Sequence, residues 1–315
     1  MGIETGASMN FDPAVSGNTN SFWIPELFSN KVQVAFRKAS VAEGITNTDY
    51  YGEISQYGDT VNIIKEPQIG TSDYTRHATL SGTDLTDEEL VLTVDQAKYF
   101  QFVVDDLEKR FSHVNWQQIA ADNAGYKLKD AMDTNVLTAM FAGAATSLGG
   151  DTVDVADTNY DGTGPIDLLG SDATGLDPVD VMARMARTLD DANVPEENRW
   201  FVAKPEFYEQ LAKTNSKLMS VDYNQGEGGL RNGLVASGQV RGFKMYKSNN
   251  IPATTNATGQ CLAGHLSSTA TATALSTVET VRSTTSFEDI VRGLMVWGRK
   301  VLRDDALVKG IYTID

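Results

Sequence analysis

The chain has 315 residues, 41% of them hydrophobic and 22% charged, which supplies one large core or two smaller ones and excludes wholesale disorder. Twenty-six Lys and Arg against 42 Asp and Glu leave a formal net charge of -16, so the chain as a whole repels nucleic-acid phosphates and anionic membrane surfaces. Its single cysteine, Cys261, excludes an intrachain disulfide and fits a reducing cytoplasm; no secretory leader opens the sequence, and no apolar run approaches the roughly 20 residues that cross a bilayer.

Residues 1–21 are rich in Gly, Ser, Asn and Thr and read as an extended arm that orders on a neighbour. From Ile24 to Ala39, Pro25 followed by Leu27, Phe28, Val32, Val34 and Phe36 predicts a short helix docked on the body. The β-branched stretch Thr60–Lys65 predicts a strand, and a second begins at Glu89 with Leu90, Leu92 and Val94. The long polar connection between them, with Pro67, Gly70 and Gly82, predicts a projecting hairpin with little core of its own, stabilised by lying across another subunit.

After the apolar run Tyr99, Phe100, Phe102, Val103 and Val104 the period changes. Ala120, Ala124, Leu128, Ala131, Met132, Val136 and Met140 recur at spacings of three and four, which predicts a long amphipathic helix from about Val114 to Phe141. Lys129 and Asp133 are expected to pair along its solvated side. Gly143 to Gly175 reads as a linker, and Asp177 with Pro178 opens a helix carrying Val179, Met182, Ala183, Ala186 and Leu189 on one face. A strand Trp200–Ala203, a helix from Pro205 through Leu211, a glycine loop at Gly226–Gly233 and two strands between Val240 and Lys247 follow. Strand formers dominate from Phe287 to Tyr312, and there is no internal repeat. The fold class is α+β.

No constellation for catalysis emerges, so no catalytic, cofactor-binding or metal residues are assigned and no cofactor is expected. His77, His113 and His265 fall in separate segments without metal-ligand spacing. Cys261 has no nucleophile signature beside it and reads as a small buried thiol. The glycines from Gly226 to Gly233 fit neither phosphate-loop pattern. Asp157, Asn159, Asp161 and Gly162 open like a calcium loop, but Leu168 stands where the bidentate Glu belongs, so a solvated turn is the plainer reading. The carboxylate pairs Asp105 and Asp106, Asp190 and Asp191, and Asp304 and Asp305 read as solvated edges or interface charges.

The segments VDQAKYFQFVVDDLE (Val94–Glu108), GQVRGFKMYKSNNIP (Gly238–Pro252) and GRKVLRDDALVKG (Gly298–Gly310), with the helix residues Leu128, Asp130, Ala131 and Asp133, resemble the Hong Kong 97-like major capsid proteins of tailed double-stranded DNA bacteriophages. The resemblance covers most of the chain from Phe22 onward. It implies an N-terminal arm and docking helix (1–56), an E-loop hairpin (57–104), a peripheral domain with a spine helix (105–145 and 284–315) and an axial domain (146–283). It further implies a virion structural protein, not an enzyme, self-assembling as pentamers and hexamers into an icosahedral shell inside the host cytoplasm. The implied partners are a separate scaffolding protein, a portal protein, a decoration protein and packaged double-stranded DNA held without sequence-specific binding, with no membrane. Some relatives crosslink an E-loop lysine; Lys65 is the nearest lysine here, no acceptor pattern accompanies it, and an ordinary strand lysine is expected. The alternative of the same fold is an encapsulin-like bacterial nanocompartment shell.

Overall fold

The computed structural model describes residues 38, 40–50, 60–65, 69, 71, 73–74, 76–77, 88–111, 116–150, 164–168, 175–212, 230–231, 234–235, 239–255, 257 and 259–314. The arm at 1–21, the helix expected at 24–39 (Lys38 apart), the calcium-like residues 157–162, His113, and Gly226 to Gly229 with Gly233 lie outside the described residues. In chain order the elements are α1 (Ala42–Ile45), β1 (Thr60–Lys65), β2 (Glu88–Thr93), β3 (Gln96–Asp105), α2 (Asp106–Phe111), α3 (Trp116–Gly143), β4 (Thr146–Leu148) and β5 (Ile166–Leu168). They continue with α4 (Pro178–Asp191), β6 (Arg199–Ala203), α5 (Pro205–Ala212), β7 (Leu230–Arg231), β8 (Leu234–Val235), β9 (Gln239–Val240), β10 (Phe243–Lys247), β11 (Gly259–His265), β12 (Thr269–Arg282), β13 (Glu288–Val301) and β14 (Leu307–Ile314).

Two larger sheets organise the described residues. The first runs β4-β14-β11-β6-β10-β9, with β5 also pairing β14; the second is β12-β13-β3. Strand alternation explains how the first sheet is covered on both faces. Phe201 and Ala203 of β6 join Phe243, Cys261, Val308 and Tyr312 in packing against α4 and α5, through Val179, Met182, Met185, Leu189, Phe207 and Leu211. Trp200 and Val202 point the other way, with Leu262 and Leu307, onto Met132, Val136, Leu137, Met140 and Phe141 of α3. Helix α4 starts where a proline at its first position meets an N-cap: the Asp177 side chain accepts from the Val179 amide at 2.8 Å.

Helix α3 has 28 residues, which at 1.5 Å per residue spans about 40 Å. Only its second half is buried by the rest of the chain; from Gln118 to Ala131 its residues are half-buried or exposed. The burial stripe therefore agrees with the predicted one at Met132, Val136 and Met140 but not at Ala120 or Ala124. The expected Lys129–Asp133 pair does not form. Asp133 is buried, and Lys129 instead pairs with Glu43 at 2.9 Å.

Strands β1 and β2 pair with each other from Thr60 to Thr93, and β3 is the outer member of the β12-β13-β3 sheet. Strands β12 and β13 pair antiparallel along their lengths, across the expected boundary between 283 and 284, while β14 belongs to the first sheet. The stretch expected to be linker contributes β4 and β5, both parallel to β14.

Candidate assembly surfaces

The described residues present no convergent pocket chemistry. No group of three or more His, Cys, Asp or Glu side chains is placed to hold a metal among them. Cys261 is fully buried and burial pushes its thiol up, away from the reactive thiolate. His77 is exposed in a left-handed turn (φ 69°), and His265 is half-buried at the end of β11. Leu168 is buried in β5. The carboxylate pairs are dispersed: Asp190 meets Arg199 at 2.7 Å, Asp191 meets Arg187 at 3.5 Å, and the Asp304 carbonyl accepts from Ala145 and Leu307. Lys65 pairs through its backbone with Glu88, as a strand residue does.

What the chain presents instead is uncovered apolar surface, and it is unevenly placed. Eleven large hydrophobic side chains are exposed among the described residues. Ile64, Ile69, Tyr74 and Val91 lie on the β1–β2 hairpin and its tip, and the other seven lie on the β12-β13-β3 sheet, its turn and α2. None lies on the first sheet or its helices, so the incomplete burial is confined to the projecting parts. Scattered exposed hydrophobics are ordinary; their segregation onto two elements marks interaction surface.

The hairpin is anchored at its root. Leu92 and Val94 are buried with Ala270, Ala272 and Val296, and Val61 and Ile63 pack partly on the same cluster. The close approach needs Gly298: a Cβ there would stand 2.5 Å from the Thr93 carbonyl oxygen. Pairing of Val61 with Leu92 and Ile63 with Leu90 turns these four inward, which leaves Ile64 and Val91 on the outer face; Ile64 is 81% exposed.

The second surface is one face of the β12-β13-β3 sheet. Its register aligns Thr277, Leu294 and Tyr99 in one row and Val281, Ile290 and Val103 in another. Tyr99 is 77% exposed, and Val103, Val281 and Leu294 are exposed with it. Between the rows, Glu279 and Arg292 form an ion pair at 2.5 Å beside Gln101. The opposite face is covered over its β13 and β3 part, with Val104, Val291 and Trp297 buried and the Trp297 indole donating to Asn135 of α3 at 3.3 Å, while Val278 of β12 on that face is exposed. At the far end Phe287, 82% exposed, caps the turn between β12 and β13. That end is braced by charge: Arg282 grips Asp106 at 2.5 Å and Asp289 at 3.0 Å, and Lys109 pairs with Asp289. The Arg282 hydrogen bond holds the Asp106 carboxyl below its usual range, and hydrogen bonds from Lys109 and then Arg282 do so for Asp289.

A polar latch fixes the segment at 38–42 to α3 and the turn after β10. One oxygen of Asp133 accepts from the amides of Val41 (2.8 Å) and Ala42 (2.7 Å) and from Ser40 Oγ (3.1 Å), and the other accepts from Asn250 Nδ2 at 2.8 Å. Asn250 also donates to Asp130 at 2.7 Å and accepts from Lys38 Nζ at 3.1 Å. The segment at 40–42, α3 and the turn after β10 are thereby tied at one buried carboxylate. Sequence reasoning missed this latch, because an Asp on a long helix carries no local mark of the distant backbone donors it serves.

No family model matches the chain, and no curated protein matches it by sequence. Solved structures do match in fold. A chain of Mycobacterium phage Che8 superposes with a TM-score of 0.75 at 26% identity, covering 91% of this chain and 97% of that one. The capsid structure of the cyanophage P-SCSP1u gives 0.70 at 20% identity, with 97% and 100% covered. The mature capsid of bacteriophage PhiM1 gives 0.68 at 19% identity, with 92% of each chain covered.

Proposed function

We infer that this chain, which has the fold of phage capsid structures, is a major capsid protein and builds an icosahedral phage head from many copies of itself. The observation that carries the reading is fold likeness over 91% and 97% of this chain and 97% and 100% of those neighbours. Its role is that of a structural protein of the virion capsid. The nanocompartment alternative is not favoured, since the neighbours are phage chains.

The finer arrangement proposed is Hong Kong 97-like. In it, β1–β2 is the E-loop, β12-β13-β3 with α3 forms the peripheral domain, and the first sheet with α4 and α5 forms the axial domain. The segregation of exposed apolar side chains supports hairpin-to-neighbour contact within pentamers and hexamers, because an uncovered hairpin gains stability only from a partner surface. The net charge of -16 supports containment of the packaged double-stranded DNA without tight adhesion. A separate scaffolding protein, a portal protein, a decoration protein and assembly in the host cytoplasm complete the proposal.

Electron microscopy of the purified chain, alone and with a candidate scaffolding protein, tests it. Closed shells are expected. The double variant Ile64→Asp with Tyr99→Asp is expected to keep its secondary structure and lose shell formation. A protein that stays a small oligomer under every condition, or a variant that assembles as well as the parent, would overturn the reading.

A further inference from the structure

Two of the chain's passages between the sheets meet at one crowded crossing. Strand β11 of the first sheet passes into β12 of the second through a single 3-10 turn, Leu266–Ser268, and β13 returns to β14 alongside it. The Ser268 carbonyl accepts from the amides of both Leu302 (2.8 Å) and Arg303 (3.1 Å), so both crossings are fastened at this turn. The residue that caps the turn is a histidine: His265 Nδ1 accepts from the Ser267 amide at 3.2 Å and meets Ser267 Oγ at 2.8 Å.

We propose that His265 is a proton-operated pin of this crossing: neutral, it caps the turn, and protonated, it releases the cap and loosens the segments where β11 passes into β12 and β13 into β14. A proton from solvent would occupy Nδ1, and a protonated Nδ1 donates and no longer accepts, so the Ser267 amide loses its acceptor. The ring also has a backbone hydrogen bond with Glu197, in the turn before β6. The charged groups facing the ring are Arg199 of β6, whose charge is shared with Asp190, and Arg303 of the β13–β14 connection. Both cations oppose a third positive charge. Burial first, with the two arginines, outweighs the Glu197 hydrogen bond, which acts the other way, and holds the imidazole below its ordinary value of 6.5. The capped state is therefore fully favoured above about pH 6.5 and loses ground as the pH falls from there through the lowered folded value.

Hydrogen exchange of the full-length protein tests this, followed by mass spectrometry on peptides covering 262–272 and 300–307. After correction for intrinsic rates, exchange at these sites is expected to be roughly fivefold faster at about pH 5 than at about pH 7.5, with peptides from α4 unchanged. His265→Asn keeps an acceptor for the Ser267 amide without a titrating group and should abolish the pH dependence. Arg303→Gln, at an exposed side chain, removes one opposing cation and should move the midpoint to higher pH. Equal protection at both pH values in the unaltered protein overturns the proposal, whatever the variants do; so does a midpoint unmoved by Arg303→Gln. Because the readout lies within the protein itself, its failure leaves the capsid reading standing.

Discussion

Removing the carboxylate of Asp133 is expected to unfasten the segment at 40–42 from α3. Asp133 is 1% exposed, and the Val41 and Ala42 amides it receives belong to residues that are themselves buried. Asp133→Ala leaves both amides and one Asn250 donor without an acceptor. Ser40 is exposed and can turn to water, so its bond is discounted. Two buried donors left unpaired cost about 1–3 kcal/mol each, and with the Asn250 contact the expected loss is about 3–5 kcal/mol. Asp133→Asn presents one oxygen to the amides, but its own NH2 then faces Asn250 Nδ2, donor against donor, so about 2 kcal/mol is expected. Urea denaturation of the unassembled protein measures both, and exchange of the Val41 and Ala42 amides localises the effect. The control is Glu43→Gln, which breaks the half-exposed pair with Lys129 and should cost less than about 1 kcal/mol. A loss below about 1 kcal/mol for Asp133→Ala, or equal losses for the Ala and Asn variants, would refute the assignment of the latch to this carboxylate.

Two glycines should respond with opposite signs. Gly298→Ala forces a methyl against the Thr93 carbonyl and is expected to lower stability by about 1–3 kcal/mol, whereas Gly125→Ala, mid-helix in α3 with nothing within 4 Å of its Cβ position, should raise it by about 0.5–1 kcal/mol; thermal melts compare them. The bracing of α2 by Arg282 is expected to fail in acid. Asp106 and Asp289 sit below the ordinary aspartate value of 3.8, so their contribution is present above that value and is lost as pH falls through the lowered folded values. Acid titration followed by exchange at 105–111 should therefore show a transition below about pH 4 that Arg282→Gln moves to higher pH. Cys261 should resist thiol reagents at about pH 8 in the folded protein and react at once in denaturant, which an absorbance assay reads directly.

The elements legible in the sequence are those whose residues carry a strong period or a stop signal. Thr60–Lys65 is a strand at both expected ends because its β-branched run is bounded on each side, and α4 begins where Asp177 and Pro178 mark it. The spine helix was expected over 114–141 and runs from 116 to 143. Strands β11 and β12 were missed. The first half of β12 reads TATATA, with alanine a poor strand former and threonine polar, yet Ala270 and Ala272 are fully buried and small because the hairpin root packs on them. A small residue required by a distant partner looks, in one sequence, like an absence of signal. The Lys129–Asp133 expectation failed for a related reason: spacing of four permits a pair, but the buried amides at 41 and 42 and Asn250 compete for the same carboxylate and prevail by desolvation and number.

The same reasoning separates what this chain completes alone from what it leaves to others. The first sheet has helices on one face and α3 on the other, so every long apolar side chain on it finds cover within the chain. The second sheet has α3 on one face and only the hairpin root on part of the other. Covering the rest with this chain's own residues would have taken another helix; the described chain offers instead a hairpin whose outer residues are themselves exposed. Among the described residues the two apolar surfaces stay uncovered beyond the hairpin root. A contact between copies that joined these two different patches would be head-to-tail, which generates rings where the rotation closes and open filaments where it does not. Uncovered apolar surface on two elements, and not on the first sheet, is therefore what the assembly proposal rests on in this chain.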